Sequence, residues 1–357
     1  VSLVAKLKGK TIVITGGTGS LGKVLTRRLL QNPELEPRKI IVFSRDEAKQ
    51  HQMRVEYQHK IKATDEVIYH NFERLIQFHI GDIRNYPSVC SVLKEADIVV
   101  NAAALKQVPS CEYFPFEAVQ TNIIGVENIV RAIQEKNLPV ETVVGVSTDK
   151  ACKPVNTMGM TKAIQERILT VANIYAPKTR FICVRYGNVL ASRGSVIPLF
   201  HEQIKNGGPL TITTPEMTRF LLPLERAVDT IMEAIEKAQR GETYVPKVPA
   251  ARIVDVAKVL IGDRNIEIQI TGIRPGEKVH EMLVSEEEAW RTYERGDYYA
   301  IQPMLPELER SCNLTKPLGY AYSSGDSLMS LEETRKLLEQ YQLIINNELS
   351  DEGDCLR

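Results

Sequence analysis

Residues 11–22 of the chain read TIVITGGTGSLG: a β-branched run, then Gly16, Gly19 and Gly22 at three-residue spacing, then the start of an amphipathic segment. Glycines in this order let a strand turn tightly into a helix and let backbone approach a pyrophosphate, whose charge is favoured at a helix N-terminus. A glycine-rich turn alone says little, but between a strand and a helix it predicts a dinucleotide cradle. The first half of the chain repeats the rhythm. TIVIT (11–15), KIIVFS (39–44), LIQFHI (75–80), DIVVNAA (97–103), ETVVGVS (141–147) and TRFICVRY (179–186) read as buried parallel strands. LGKVLTRRLLQ, EAKQHQMRVEYQHKI and FEAVQTNIIGVENIVRAIQEK carry apolar residues at helical spacing. The alternation predicts the α/β class, a Rossmann-like doubly wound parallel sheet with right-handed crossovers.

After about residue 187 the pattern breaks at Pro198, Pro209, Pro215 and Pro223. The expected division is a cofactor-binding domain over 1–186, to which later segments return, and a smaller α/β substrate-binding domain, mainly 187–325. A C-terminal helix and frayed tail are expected over 326–357. Lys plus Arg equals Asp plus Glu at 45 each, so no global charge pulls the chain toward nucleic acid or an acidic membrane. There is no run of 18 apolar residues, and VSLVAKLKGKTIVITGG lacks the design of a signal peptide. Cys90, Cys111, Cys152, Cys183, Cys312 and Cys355 show no paired spacing, which predicts reduced thiols and no metal centre. The expectation is a soluble cytoplasmic protein.

The end of the second strand separates the two dinucleotides. Ser44 and Arg45, with Lys49 one turn on, suit a 2′-phosphate, so NADP is expected over NAD, although Asp46 can pair with Arg45 or bind a ribose hydroxyl itself. Further cofactor candidates are Thr18, Ser20 and Leu21 in the cradle, Asp82 and Ile83 after the third strand, Ala102, Ala103 and Ala104 after the fourth, and Asn122. Thr148-Asp149-Lys150 leaves the fifth strand at its carboxyl end, where ligands bind in open α/β sheets. Met158 and Lys162, four apart, share one face of the following helix.

With TGGTGSLG, FSRDEAKQ, AAALKQVPSCEYFPFEAVQTNIIG, STDKA, MGMTK, VRYGNVLASRGSVIPLF, PEMTRFLLPLE, GIRPGEKVHEML and YSSG, the chain resembles an extended short-chain dehydrogenase/reductase. More narrowly, it is similar to the UDP-N-acetylglucosamine 4,6-dehydratases of bacterial surface-polysaccharide and flagellin-sugar synthesis, over about residues 10–325. The resemblance implies that NADP takes hydride from carbon 4 of the sugar, water is lost across carbons 5 and 6, and hydride returns to carbon 6. Inversion at carbon 5 is expected, as in some members. Asp149 matches the acid that protonates the departing hydroxyl and Lys150 the base at carbon 5. Burial and neighbouring positive charge are expected to lower the Lys150 pKa. Lys162 matches the lysine at the nicotinamide ribose, and Thr148 lies near the 4-hydroxyl. Met158 stands where the superfamily has a tyrosine. Subgroups of the family carry methionine there too, so either Lys150 or a water held by Thr148 must serve instead.

The resemblance also places Lys106 beside the sugar and Asn188 and Val189 at the diphosphate. Arg193, Arg219 and Arg274 are candidate diphosphate ligands, and Glu277 a ligand of the uridine ribose. Asn101 and Gln107 depart from the histidines expected there and receive no role. A UDP-sugar substrate and a homo-oligomer, possibly a hexamer in this family, follow. The alternatives are another nucleotide-sugar epimerase or oxidoreductase on the same fold, against which the Asp149–Lys150 pair argues, and a non-catalytic NADP-binding scaffold.

Overall fold

The computed structural model describes residues 2–58, 66–190, 195–308 and 316–344. Six strands arise where the apolar runs stand: β1 (Thr11–Thr15), β2 (Lys39–Ser44), β3 (Ile76–Ile80), β4 (Ile98–Asn101), β5 (Thr142–Thr148) and β6 (Arg180–Tyr186). Every residue of β1 and β4 is buried, as parallel strands covered on both faces require. The later strands are β7 (Leu210–Ile212), β8 (Thr218–Phe220), β9 (Thr243–Pro246), β10 (Ala250–Arg252), β11 (Ile268–Ile270), β12 (Met282–Val284), β13 (Thr292–Arg295), β14 (Tyr298–Ile301) and β15 (Tyr322–Ser323).

The main sheet runs β13-β14-β9-β6-β5-β4-β1-β2-β3. β1 to β6 and β9 are parallel, and β14 and β13 close that edge antiparallel. This is a Rossmann-type sheet with a smaller accessory lobe. One face packs Ile12, Ile14, Leu25, Val42 and Ile231 together. The other packs Val13, Val99, Ile129, Val143 and Leu169. Strand order reverses beside β1, so the carboxyl ends of β1 and β4 open a crevice at the switch point.

The lobe carries three two-stranded sheets, β8–β10, β7–β11 and β12–β15. Of these, β7–β11 packs around Phe200, Leu210, Val256 and Leu260. The β12–β15 pair packs with Phe220 and Ala250 of β8–β10 against Val245 and Ile301 at the edge of the main sheet. Two features depart from the sequence reading. A helix at Glu66–Leu75 precedes β3. The helix expected over 116–136 is present as an unbroken run from Pro115 to Glu135, but with a π-turn set into it at Gln120–Ile124. Ser330 and Glu333 form a capping box on the C-terminal helix Leu331–Gln340, and the expected frayed end falls outside the described residues. Among the described residues, no helix is long and apolar enough to cross a membrane.

Candidate active site

Gly16 follows β1 with φ +64°, and a Cβ there would sit 2.8 Å from the Cα and N of Ala103. The turn therefore closes on the loop after β4 only because no side chain intervenes. Gly19 caps the helix Ser20–Gln31 without a side-chain hydrogen bond, so the first amides, those of Ser20, Leu21 and Gly22, are left for a ligand. Thr18 is buried beside them. Thr15 Oγ1 donates to Asn101 Oδ1 (2.6 Å) and accepts from the Ala103 amide (3.2 Å), joining the two strand ends under the cradle. Gly16→Ala combines strain of about 1–3 kcal/mol with this clash. Dinucleotide affinity, read by isothermal titration, is expected to fall roughly 10- to 100-fold.

At the end of β2 the charges are already balanced. Ser44 is buried and its hydroxyl accepts from Gln50 (3.1 Å). Lys49 pairs with Asp46 at 2.7 Å, and Arg45 reaches Asp82 at 3.7 Å, which Arg84 also holds at 2.7 Å. Ile83 is buried below, against Gly125.

β5 ends at Thr148, which caps the turn Asp149–Ala151. Asp149 is fully buried; Oδ1 accepts from Thr148 Oγ1 (2.8 Å) and Lys150 Nζ (3.1 Å), while Oδ2 has no partner. Gly187, just past β6, keeps the space at Oδ2 open, since a Cβ would lie 3.1 Å from it. Asn188 follows, its Oδ1 also buried and unpartnered. Lys150 Nζ lies 3.2 Å from Glu281, a buried carboxylate whose Oε2 is unpartnered as well. Burial lowers the Lys150 pKa, but Asp149 and Glu281 outweigh it against opposition from Arg219, and the net direction is upward. The expected lowering is thus reversed, because two carboxylates face the amine.

Lys162 is buried on the helix Thr157–Tyr175, donating to the Val146 carbonyl and Gln165 Oε1, each at 2.6 Å. Burial brings its pKa down to about 8. Asn122, in the π-turn, accepts from the Leu105 amide (2.8 Å) and donates to Thr161 Oγ1 (3.0 Å). It pins the loop carrying Ala102, Ala103 and Ala104 to the Lys162 helix. Met158 packs with Cys111 and Ala118 against Leu105 and Val108, so its thioether fills an apolar pocket under that loop. Lys106 is exposed on the same loop.

The substrate candidates divide. Val189 bridges to Leu222, which fixes the Asn188 turn on the lobe. Arg219 is buried and already engaged, donating to the carbonyls of Thr218 (2.7 Å) and Val279 (3.2 Å) with Nε 3.8 Å from Glu281. It thereby stands beside the Lys150 cluster through Glu281. Arg274 is exposed, and Glu277 accepts from Thr213 Oγ1 at 3.4 Å. Asn156 holds their loop by donating to the Gly276 carbonyl (2.8 Å). Arg193 lies outside the described residues.

The sequence reading missed Glu281 and a buried ionic triad. Arg185, on β6, binds Glu166 (2.6 Å) and Glu288 (2.7 Å), and Glu166 also accepts from Ser147 (2.5 Å). Runs of apolar residues with one charge inside them, as in FICVRY, were the available signal. A charge in a buried strand demands a partner.

Residues 12–303 match the family model described as polysaccharide biosynthesis protein. A relative named UDP-glucose 4-epimerase from Rickettsia bellii is 45% identical over 298 residues, 82% of each chain. The X-ray structure of Pen from Bacillus thuringiensis is 36% identical with a TM-score of 0.84, covering 95% of this chain and 99% of its own. The dTDP-glucose 4,6-dehydratase of Streptomyces venezuelae, with NAD and TYD bound, shares the fold at 18% identity and a TM-score of 0.63, covering 75% and 86%.

Four similar structures name NAD as the dinucleotide they hold, which overturns the expected preference for NADP. The physical reason is visible at β2: Arg45 and Lys49 are paired with Asp82 and Asp46, and Ser44 faces inward, so neither of the two expected cations is uncommitted toward a 2′-phosphate.

Proposed function

The chain belongs to the polysaccharide biosynthesis protein family, and from that premise we propose that it acts with NAD on a UDP-linked amino sugar, UDP-N-acetylglucosamine, as a 4,6-dehydratase. The observation that carries this reading is the buried Asp149–Lys150 pair at the carboxyl end of β5, with Asp149 Oδ2 unpartnered. The glycine cradle, the bare amides after Gly19 and the carboxylates beside β2 suit NAD. NAD, when bound, supplies the acceptor and later the donor of hydride.

The remaining chemistry is proton transfer by this chain's own side chains. One proton shifting from Lys150 to Asp149, 3.1 Å apart, turns the ion pair into a neutral amine and an acid without changing net charge. Lys150 then takes the carbon 5 proton while Asp149 gives one to the departing carbon 6 hydroxyl. Lys150 returns its proton to carbon 5 when carbon 6 is reduced and regains one, through a water held by Thr148, from the proton that the carbon 4 hydroxyl gave up, so the pair ends as it began. Thr148 fixes Asp149 in place, and Lys162 holds the nicotinamide ribose.

A second reading, 4-epimerisation of a UDP-hexose, is favoured by the name of the Rickettsia relative. The two separate in deuterated water with UDP-N-acetylglucosamine and catalytic NAD, or NADP in parallel, followed by proton NMR. Dehydration is expected to give a methyl signal from a 4-keto-6-deoxy sugar, faster with NAD, with ring couplings reporting carbon 5. Interconversion of the 4-epimers without a methyl signal would favour the second reading. No change with NAD bound would sink both.

A further inference from the structure

Lys150 faces two carboxylates. Asp149 comes from its own turn; Glu281 arrives from a segment 131 residues later in the chain. Each gives Lys150 one oxygen, at 3.1 and 3.2 Å, and each keeps its other oxygen buried and unpartnered. Burying a second carboxylate here is costly unless it is held, and it is held on both sides. The Glu281 amide donates to Ser324 Oγ (2.9 Å), and its carbonyl accepts from the Ser324 amide (2.8 Å). Ser324 Oγ also lies 2.7 Å from Thr218 Oγ1, which tethers the segment to β8. The β12–β15 pairing thus delivers the carboxylate as a fixed part of the site.

We propose that Glu281 is a positioning residue for Lys150, holding the amine in line with Asp149 and setting how tightly it keeps its proton. The inference rests on the reading of Lys150 as the base. A neighbouring carboxylate makes the amine a stronger base and stabilises the ammonium formed when the carbon 5 proton is taken. Arg219, 3.8 Å from Glu281, works the other way and keeps that strength in check. Among the described residues these three are the charged groups facing Lys150. Lys162 and Lys278 are bonded to the carbonyls of Val146 and Cys152.

The test is the pH dependence of trace acetylation of Lys150 by acetic anhydride, read on its peptide by mass spectrometry. About a fifth of the side chain (21%) reaches solvent. In Glu281→Gln the midpoint is expected to fall below that of the unaltered chain, and turnover at neutral pH to drop about 10- to 100-fold. Glu281→Asp keeps the charge but withdraws it by one methylene, so its midpoint should lie between the two. It also carries the test should the Gln variant fail to fold. Midpoints in the folded variants equal to that of the unaltered chain would overturn the proposal, whatever happens to turnover. If the unaltered chain turns over no UDP-sugar yet the midpoints move, the dehydratase reading falls and Glu281's hold on Lys150 stands.

Discussion

Lys150→Met is expected to abolish the methyl-forming reaction, with turnover down about 10²- to 10⁴-fold, while dinucleotide binding at the glycine cradle after β1 is kept. The substitution removes the base and also leaves Asp149 and Glu281 as buried carboxylates without their common cation. Breaking a buried pair in this way costs about 3–5 kcal/mol. Turnover should therefore be measured well below the melting temperature of the variant, with calorimetry alongside. The variant also discriminates between the two reactions. Removing a proton from carbon 5 has no part in simple 4-epimerisation, so a variant that loses the methyl product while keeping any interconversion of 4-epimers would tie Lys150 to the carbon 5 step alone. Loss of every activity in a folded, NAD-binding variant would place Lys150 in both.

Arg185→Met is expected to produce the largest loss of stability. Arg185 is 2% exposed, and its guanidinium satisfies Glu166, Glu288 and the Leu283 carbonyl (2.9 Å) at once. Methionine of similar length would strand two buried carboxylates, again about 3–5 kcal/mol. At roughly 2–4 °C per kcal/mol for chains of this order, the melting temperature should fall by about 6–20 °C in a calorimetric scan. The acid side of the profile should change too. Despite its burial, the Arg185 charge holds Glu288 down at about 2. Because that is below the ordinary carboxylate value, the unfolded chain binds more protons between pH 2 and 4.5, and the Glu288 contribution fades as pH falls through that window. In the methionine variant this fade should disappear, since the contribution is gone at every pH. An unchanged melting temperature would show the triad to be energetically idle.

Much of the sheet was legible because a parallel strand covered on both faces must be a nearly unbroken apolar run, as IVIT, IIVF, IVV and ICV are. The cradle was legible for a similar reason, since its local chain order is its geometry. What stayed hidden depended on pairing at a distance. The cation Arg45 could be read, but whether Asp82 or a phosphate answers it is decided by how β2 lies beside β3. Glu281 is one acid among many until β12 pairs with β15. Against burial, the upward shift at Lys150 comes first from Asp149, its neighbour in sequence, and then from Glu281, which that same pairing delivers; only the second of these was hidden. Met158 was visible as an anomaly in sequence, yet only the structure shows what it touches.

The triad also bears on how such chains acquire new specificities. Arg185 lies at the end of the first stretch of sheet, and Glu288 just ahead of the two strands that complete the far edge. Any single crossover between two divergent parent genes that falls from residue 186 to residue 287 would inherit the cation from one parent and its carboxylate from the other. Wholesale exchange of the lobe between relatives therefore requires two breakpoints, with the returning strands left at home. Stepwise change in the loops at the mouth of the crevice carries no such requirement, and it is the easier route for diversification on this framework.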